Sequence, residues 1–156
     1  MSTQSQDNGR PASKLSAPDR QLLERIDRLD QMCKASPKEV APQVKLWEAV
    51  ASLPYWICIN RGTPQAPRPF MLAGQSGPIL CVFTTPQRAR QAALSVGIIQ
   101  EGDPLILFAP PLPGAMDWAM SFEKYGVTGL TIDYPRIGVW SSLTNLAHLK
   151  PSRPPR

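Results

Sequence analysis

The chain is poor in the residues that carry chemistry. It has one histidine, His148, and three widely spaced cysteines, Cys33, Cys58 and Cys81. No two cysteines form a Cys-x-x-Cys pair, so neither a disulfide framework nor a zinc site is expected. Cys58 and Cys81 sit inside apolar runs, where cysteine behaves as a small hydrophobe, and this points to a reducing, cytoplasmic compartment. No apolar run reaches the roughly 18 residues of a membrane span, and the first residues, MSTQSQDNGRPASK, lack the apolar stretch of a secretory signal. Membrane insertion and secretion are therefore not expected.

A basic stripe is also missing. The net charge of +5 is uneven: residues 150–156 (Lys150, Arg153 and Arg156, with no acid) carry +3, and residues 21–149 carry only +1. A near-neutral body with a short basic tail argues against a polynucleotide binder, leaving polyanion contact through Lys150, Arg153 and Arg156 as a weaker idea.

Proline, by contrast, is abundant, with 18 residues against 10 glycines. Most prolines stand at turns, strand edges and helix starts, where a missing N–H does little harm. Residues 77–97, GPILCVFTTPQRARQAALSVG, form the clearest unit: Gly77-Pro78 open a strand, Thr85-Pro86 cap and start a helix, and Gly97 stops it. Ala89, Ala92, Ala93 and Val96 give that helix a small, closely packable face.

Around it, residues 1–15 read as a disordered leader, 16–149 as one α+β domain and 150–156 as a basic, proline-rich tail. Leu22, Ile26, Leu29 and Cys33 mark a first amphipathic helix, with Leu23 and Met32 widening its stripe. Ser36-Pro37-Lys38-Glu39 signals a second start, followed by Val40, Val44, Trp47 and Ala51 on one face and a kink or restart at Pro42. Residues 55–60 (YWICIN) read as a strand covered on both faces, 61–67 as a turn or loop, 70–73 as a second strand joined by a hairpin at 74–77 to the 77–97 unit, and 105–109 and 128–133 as further strands. The expected architecture is one central, mostly antiparallel sheet of about five strands, with a strand–helix–strand crossover and packed helices. A short last helix follows from Leu143, Leu146 and Leu149.

The helix expected at 114–125 has an unusual wheel. Asp117, Ser121 and Lys124 cluster within about 60°, and apolar side chains cover nearly all the rest. A surface helix normally needs an apolar stripe only a little over about 100° wide. The surplus suggests a protein partner or self-association, with Met116, Trp118, Met120 and Trp140 as the partner-binding residues.

No catalytic set assembles around His148, whose place near a helix end suits a dipole interaction. No cofactor or metal is called for, and Gly74-Gln75-Ser76-Gly77 lacks the ending of a phosphate loop. An alternative site, for a small anionic ligand and possibly an enzyme's substrate, lies at the helix start with Thr85, Arg88 and Arg90.

The run Phe83-Thr84-Thr85-Pro86, followed by a proline-bounded strand, a helix and Gly129-Leu130-Thr131-Ile132-Asp133-Tyr134-Pro135, resembles the N-terminal domain of the SseB family (enhanced serine sensitivity) over residues 46–146. Asp133-Tyr134-Pro135 stands where the family pattern has Asn-Pro-Gly, and the first helix is additional. The resemblance implies a mixed α/β domain acting as a non-enzymatic interaction or regulatory module.

Overall fold

A computed structural model describes residues 19–149; the expected leader and the basic tail lie outside the described residues. The protein mixes helix and strand. Helix α1 (Arg20–Ala35) is capped by Asp19, whose carboxylate accepts from Gln21 N–H. It buries Ile26, Leu29 and Cys33 as the periodicity predicts, but also Asp30, while Met32 stays exposed. The buried stripe is rotated toward Asp30 and away from Met32.

Helix α2 (Ala41–Ala51) begins later than the Ser36-Pro37 signal predicts. The Ser36 N–H is used to close α1, donating to Met32 O, and Pro42 falls in the first turn of α2. There a proline N–H is not needed, so Pro42 starts the helix and does not kink it. Leu46, Ala49 and Val50 are buried, and Trp47 with them.

The strands form two sheets, not the one central sheet expected. Strands β2 (Met71–Ala73), β3 (Pro78–Val82), β5 (Gly129–Ile132) and β6 (Trp140–Ser142) make a four-stranded sheet in the order β2-β3-β5-β6. Strands β1 (Cys58–Ile59) and β4 (Leu107–Phe108) make a separate antiparallel pair. Single bridges, Ile57 to Phe83 and Asn60 to Pro69, join the two. The β2–β3 hairpin is antiparallel as expected. The parallel neighbour of β3 is β5, however, not the strand near 105–109, so the crossover is longer and contains α3 (Pro86–Val96), β4 and α4 (Gly114–Met120). The chain after α4 tightens into a 3-10 turn, Ser121–Tyr125, which Gly126 ends at φ 91°. Helix α5 (Leu143–Ala147) follows β6 directly.

Strand β3 sits at the centre because both of its faces are apolar. Leu80 and Val82 point into the larger core, with Leu130, Ile132, Trp56, Met116 and residues of α1, α2 and α5. Cys81 and Phe83 alternate into a smaller core, where Ala89, Ala92 and Ala93 bring α3 close. Val96, expected on that face, is exposed. No helix among the described residues is long and apolar enough to cross a membrane.

Candidate functional site

The sequence-predicted partner residues separate in space. Met116 is 1% exposed and belongs to the larger core. Trp118 and Met120 are half-buried and pack against the same core; Trp118 makes edge-on contacts with Phe108 and Phe122. The surplus apolar surface of the 114–125 segment is thus largely covered by its own domain. Trp140 is different: it is 51% exposed and lies on the outermost strand of the four-stranded sheet.

Trp140 owes its position to Gly129. The two strands run antiparallel, with Thr131 opposite Trp140 and Gly129 opposite Ser142. A Cβ on Gly129 would fall 2.5 Å from Trp140 Cε3 and 2.6 Å from Ser141 O, so the indole ring lies over the bare glycine backbone. One side of the ring is seated on the sheet and the rest remains open.

Across from Trp140 stands the first half of α2. Val40 and Val44 share a face with Trp47 at helical spacing, but only Trp47 is buried; Val40 is 66% and Val44 41% exposed. Together with Leu149 after α5 they wall a groove of about 400 Å³ with Glu48 on its rim. A second cavity of about 380 Å³ shares Gln43 and Trp140 with the first and runs toward Asp30, Cys33 and Lys34 of α1. Through these shared residues the two adjoin, and together they are the trough along α1, α2, β6 and α5.

Two buried polar atoms belong to side chains that wall this trough. Among the described residues, three buried side-chain atoms lack a hydrogen-bond partner: Asp30 Oδ1, Trp47 Nε1 and Thr131 Oγ1. Asp30 and Trp47 are both lining residues. Lys34 Nζ pairs with the other Asp30 oxygen at 2.9 Å. An unpaired buried donor or acceptor costs about 1–3 kcal/mol, and both atoms are themselves closed to solvent.

The anion-site residues are otherwise engaged. Thr85 caps α3, its hydroxyl accepting from Arg88 N–H at 3.1 Å. The Arg88 guanidinium donates to Asp133 Oδ2 at 2.6 Å and forks onto both oxygens of Asp27 at 3.1 and 2.8 Å. Arg90 donates to the Asp103 carbonyl. Asp133 is buried at the end of β5, where it also accepts from Thr84 N–H and Thr84 Oγ1, each at 2.7 Å. It holds φ 53°, a left-handed conformation that Asp and Asn tolerate better than most residues. Because β3 and β5 are parallel neighbours, Thr84 and Asp133 leave the sheet side by side, and Arg88 ties both to α1. A cleft of about 260 Å³ opens beside this clamp, next to Gln91, Ser95 and Arg136.

Charge follows that geometry. Burial pushes the Asp27 carboxyl up, but the hydrogen bonds and charge of Arg88, with Arg136 beyond, outweigh it and hold Asp27 below the usual carboxylate range. Burial likewise lowers Arg88, and its two carboxylate partners more than reverse the effect. The thiols are suppressed: burial lifts Cys58 well above its ordinary value and Cys81 to about 11, which makes them poor nucleophiles. No group of three or more His, Cys, Asp or Glu side chains that could hold a metal lies together among the described residues.

Sequence periodicity places Val40 and Val44 on a core-facing stripe, and their exposure in the folded chain is what sets them on the wall of the groove. Asp133 stands out in the sequence only as an acid near a strand end; its three donors come from Thr84 and Arg88, 45 to 49 residues away. Comparison of the chain with protein-family models, with curated proteins and with solved structures returns no match.

Proposed function

We propose that the chain is a non-enzymatic interaction module of the SseB-like type that docks a protein partner, or a second copy, in the trough between α2 and β6. The observation that carries this reading is the exposed apolar wall of Val40, Val44 and Trp140 around a half-open groove. Aromatic side chains flanked by aliphatic ones and set in a concave surface are the usual anchors of protein interfaces. The two segments that carry the family resemblance also meet in space, through the Thr84–Asp133 hydrogen bonds. Three free, buried thiols support a cytoplasmic setting.

The alternative, a small anionic ligand held by Thr85, Arg88 and Arg90, has less in its favour. The Arg88 guanidinium already faces two carboxylates, so an incoming anion would have to displace Asp27 or Asp133.

A photo-crosslinking residue at Val44 tests the docking reading in cells. A defined adduct is expected, and Trp140→Ser should reduce it by a factor of about 30, as for an anchor worth about 2 kcal/mol. An adduct of the same yield in a folded Trp140→Ser protein would remove the trough from the interface.

A further inference from the structure

Strand β4 is an open sheet edge. It pairs with β1 alone, Cys58 opposite Phe108 and Ile59 opposite Leu107. Asn60 N–H donates to the Ile106 carbonyl and Trp56 N–H to the Pro110 carbonyl. Even-numbered residues of this stretch therefore turn their backbone groups toward β1. Antiparallel pairing alternates, so Leu107, and Leu105 before it, turn theirs to the other side. No strand among the described residues meets them there. The stretch is accessible as well as unpaired: Pro104 is exposed, Leu105 and Leu107 are half-buried, and Ile106 is 58% exposed. It closes at Phe108, which is buried.

Edge strands are normally blunted by a charged side chain or by a proline whose missing N–H faces outward. Here no charged residue stands between Asp103 and Asp117. Pro104 belongs to the even-numbered set, so its missing N–H falls on the β1 side and the outward donors of Leu105 and Leu107 are kept. Backbone donors and acceptors in this alternation are matched by another strand.

A second copy of the same stretch supplies that strand. With a two-fold axis at Ile106, Leu105 of each copy exchanges both backbone bonds with Leu107 of the other. Ile106 then faces Ile106 as a non-hydrogen-bonded pair, with Cα atoms about 4.5 Å apart. The exposed isoleucine is buried against its own counterpart. Asp103 falls opposite Ala109, so no like charges meet across the pair.

We propose that β4 pairs antiparallel with β4 of a second copy, joining the two β1–β4 ladders into one sheet. The inference goes beyond the docking reading and uses a different surface, since Ile106 does not line the trough. A ladder this short places the dimer among small interfaces, below about 1,200 Å², so it forms as concentration rises.

Sedimentation velocity of the full chain over a concentration series should show a monomer–dimer equilibrium that Ile106→Lys abolishes and Val44→Asp leaves in place. Amide exchange should slow at Leu105 and Leu107 as concentration rises, because only strand pairing covers those N–H groups. The native thiols at 33, 58 and 81 are buried, so Ile106→Cys adds an accessible one at a spacing that a disulfide spans. Under mild oxidation it should form a disulfide dimer about tenfold faster than Val96→Cys, whose thiol has no paired counterpart and reacts only by collision. A wild type that stays monomeric throughout, or equal oxidation of the two cysteine variants, would overturn the proposal. Dimerisation without slower exchange at Leu105 and Leu107 would overturn strand pairing. Loss of the dimer in Val44→Asp and its retention in Ile106→Lys would move self-association to the trough, also overturning it. The Val44 crosslink to a different protein does not depend on β4, so it persists if this inference fails and the docking reading holds.

Discussion

Asp133→Asn isolates what the Arg88 clamp contributes to stability. The change keeps the side-chain volume and the tolerance for φ 53°. Asn can still accept from Thr84 N–H through its carbonyl oxygen. The other oxygen, which receives both Thr84 Oγ1 and Arg88, becomes an NH2 donor facing donors. A hydrogen bond to a charged group contributes about 1.5–3 kcal/mol. Removing one partner of a buried ion pair costs about 3–5 kcal/mol. Arg88 keeps Asp27, and its side chain retains 15% exposure, so the loss falls toward the low end, at about 3 kcal/mol. Equilibrium urea unfolding should show a lower midpoint with an unchanged slope. The melting temperature should drop by about 10 °C for a chain of this size. A loss under about 0.5 kcal/mol would refute the clamp, because it would mean that Asp133 and Arg88 are solvated independently in the folded protein.

Acid titration gives a second expectation. Asp27 is held below its unfolded value of about 3.9, so its contribution to stability is complete above that value and disappears as pH falls through the folded one. The melting-temperature gap between wild type and Asp27→Asn should therefore be constant near neutral pH and close below about pH 4, as read by calorimetry. A gap that widens with acidification would contradict the ion pairing. At Gly129, alanine would drive a Cβ into the Trp140 ring and the Ser141 carbonyl; Gly129→Ala should cost about 1–3 kcal/mol and change the Trp140 indole signal.

What could be read in the sequence was local. The 77–97 unit appears as expected, with Thr85 as cap, Pro86 in the first turn and Gly97 at φ 84°, because each signal acts through its immediate neighbours. The α2 start was ambiguous for the same reason: two local signals competed, and the need to close α1 with the Ser36 N–H decided between them. Strand β6 is three residues, Trp140-Ser141-Ser142, with no alternation to announce it. Its pairing is set by β5 and by the bare backbone of Gly129. The parallel partner of β3 depends on contacts some 50 residues apart, so the number and size of the sheets were beyond periodicity. The site divides in the same way. Trp140 was legible as an aromatic in excess of core needs, whereas the exposure of Val40 and Val44 follows from where β6 and α5 land against α2.

Partner retention by a matched pair of charge substitutions tests the location of the interface most directly. Val44 and Ile106 are both exposed aliphatic residues, at 41% and 58%, but only Val44 lines the trough. Val44→Asp should abolish the co-purifying complex while Ile106→Asp leaves it intact, with both variants folded by circular dichroism. Loss with Ile106→Asp and retention with Val44→Asp would place the working surface elsewhere on the molecule.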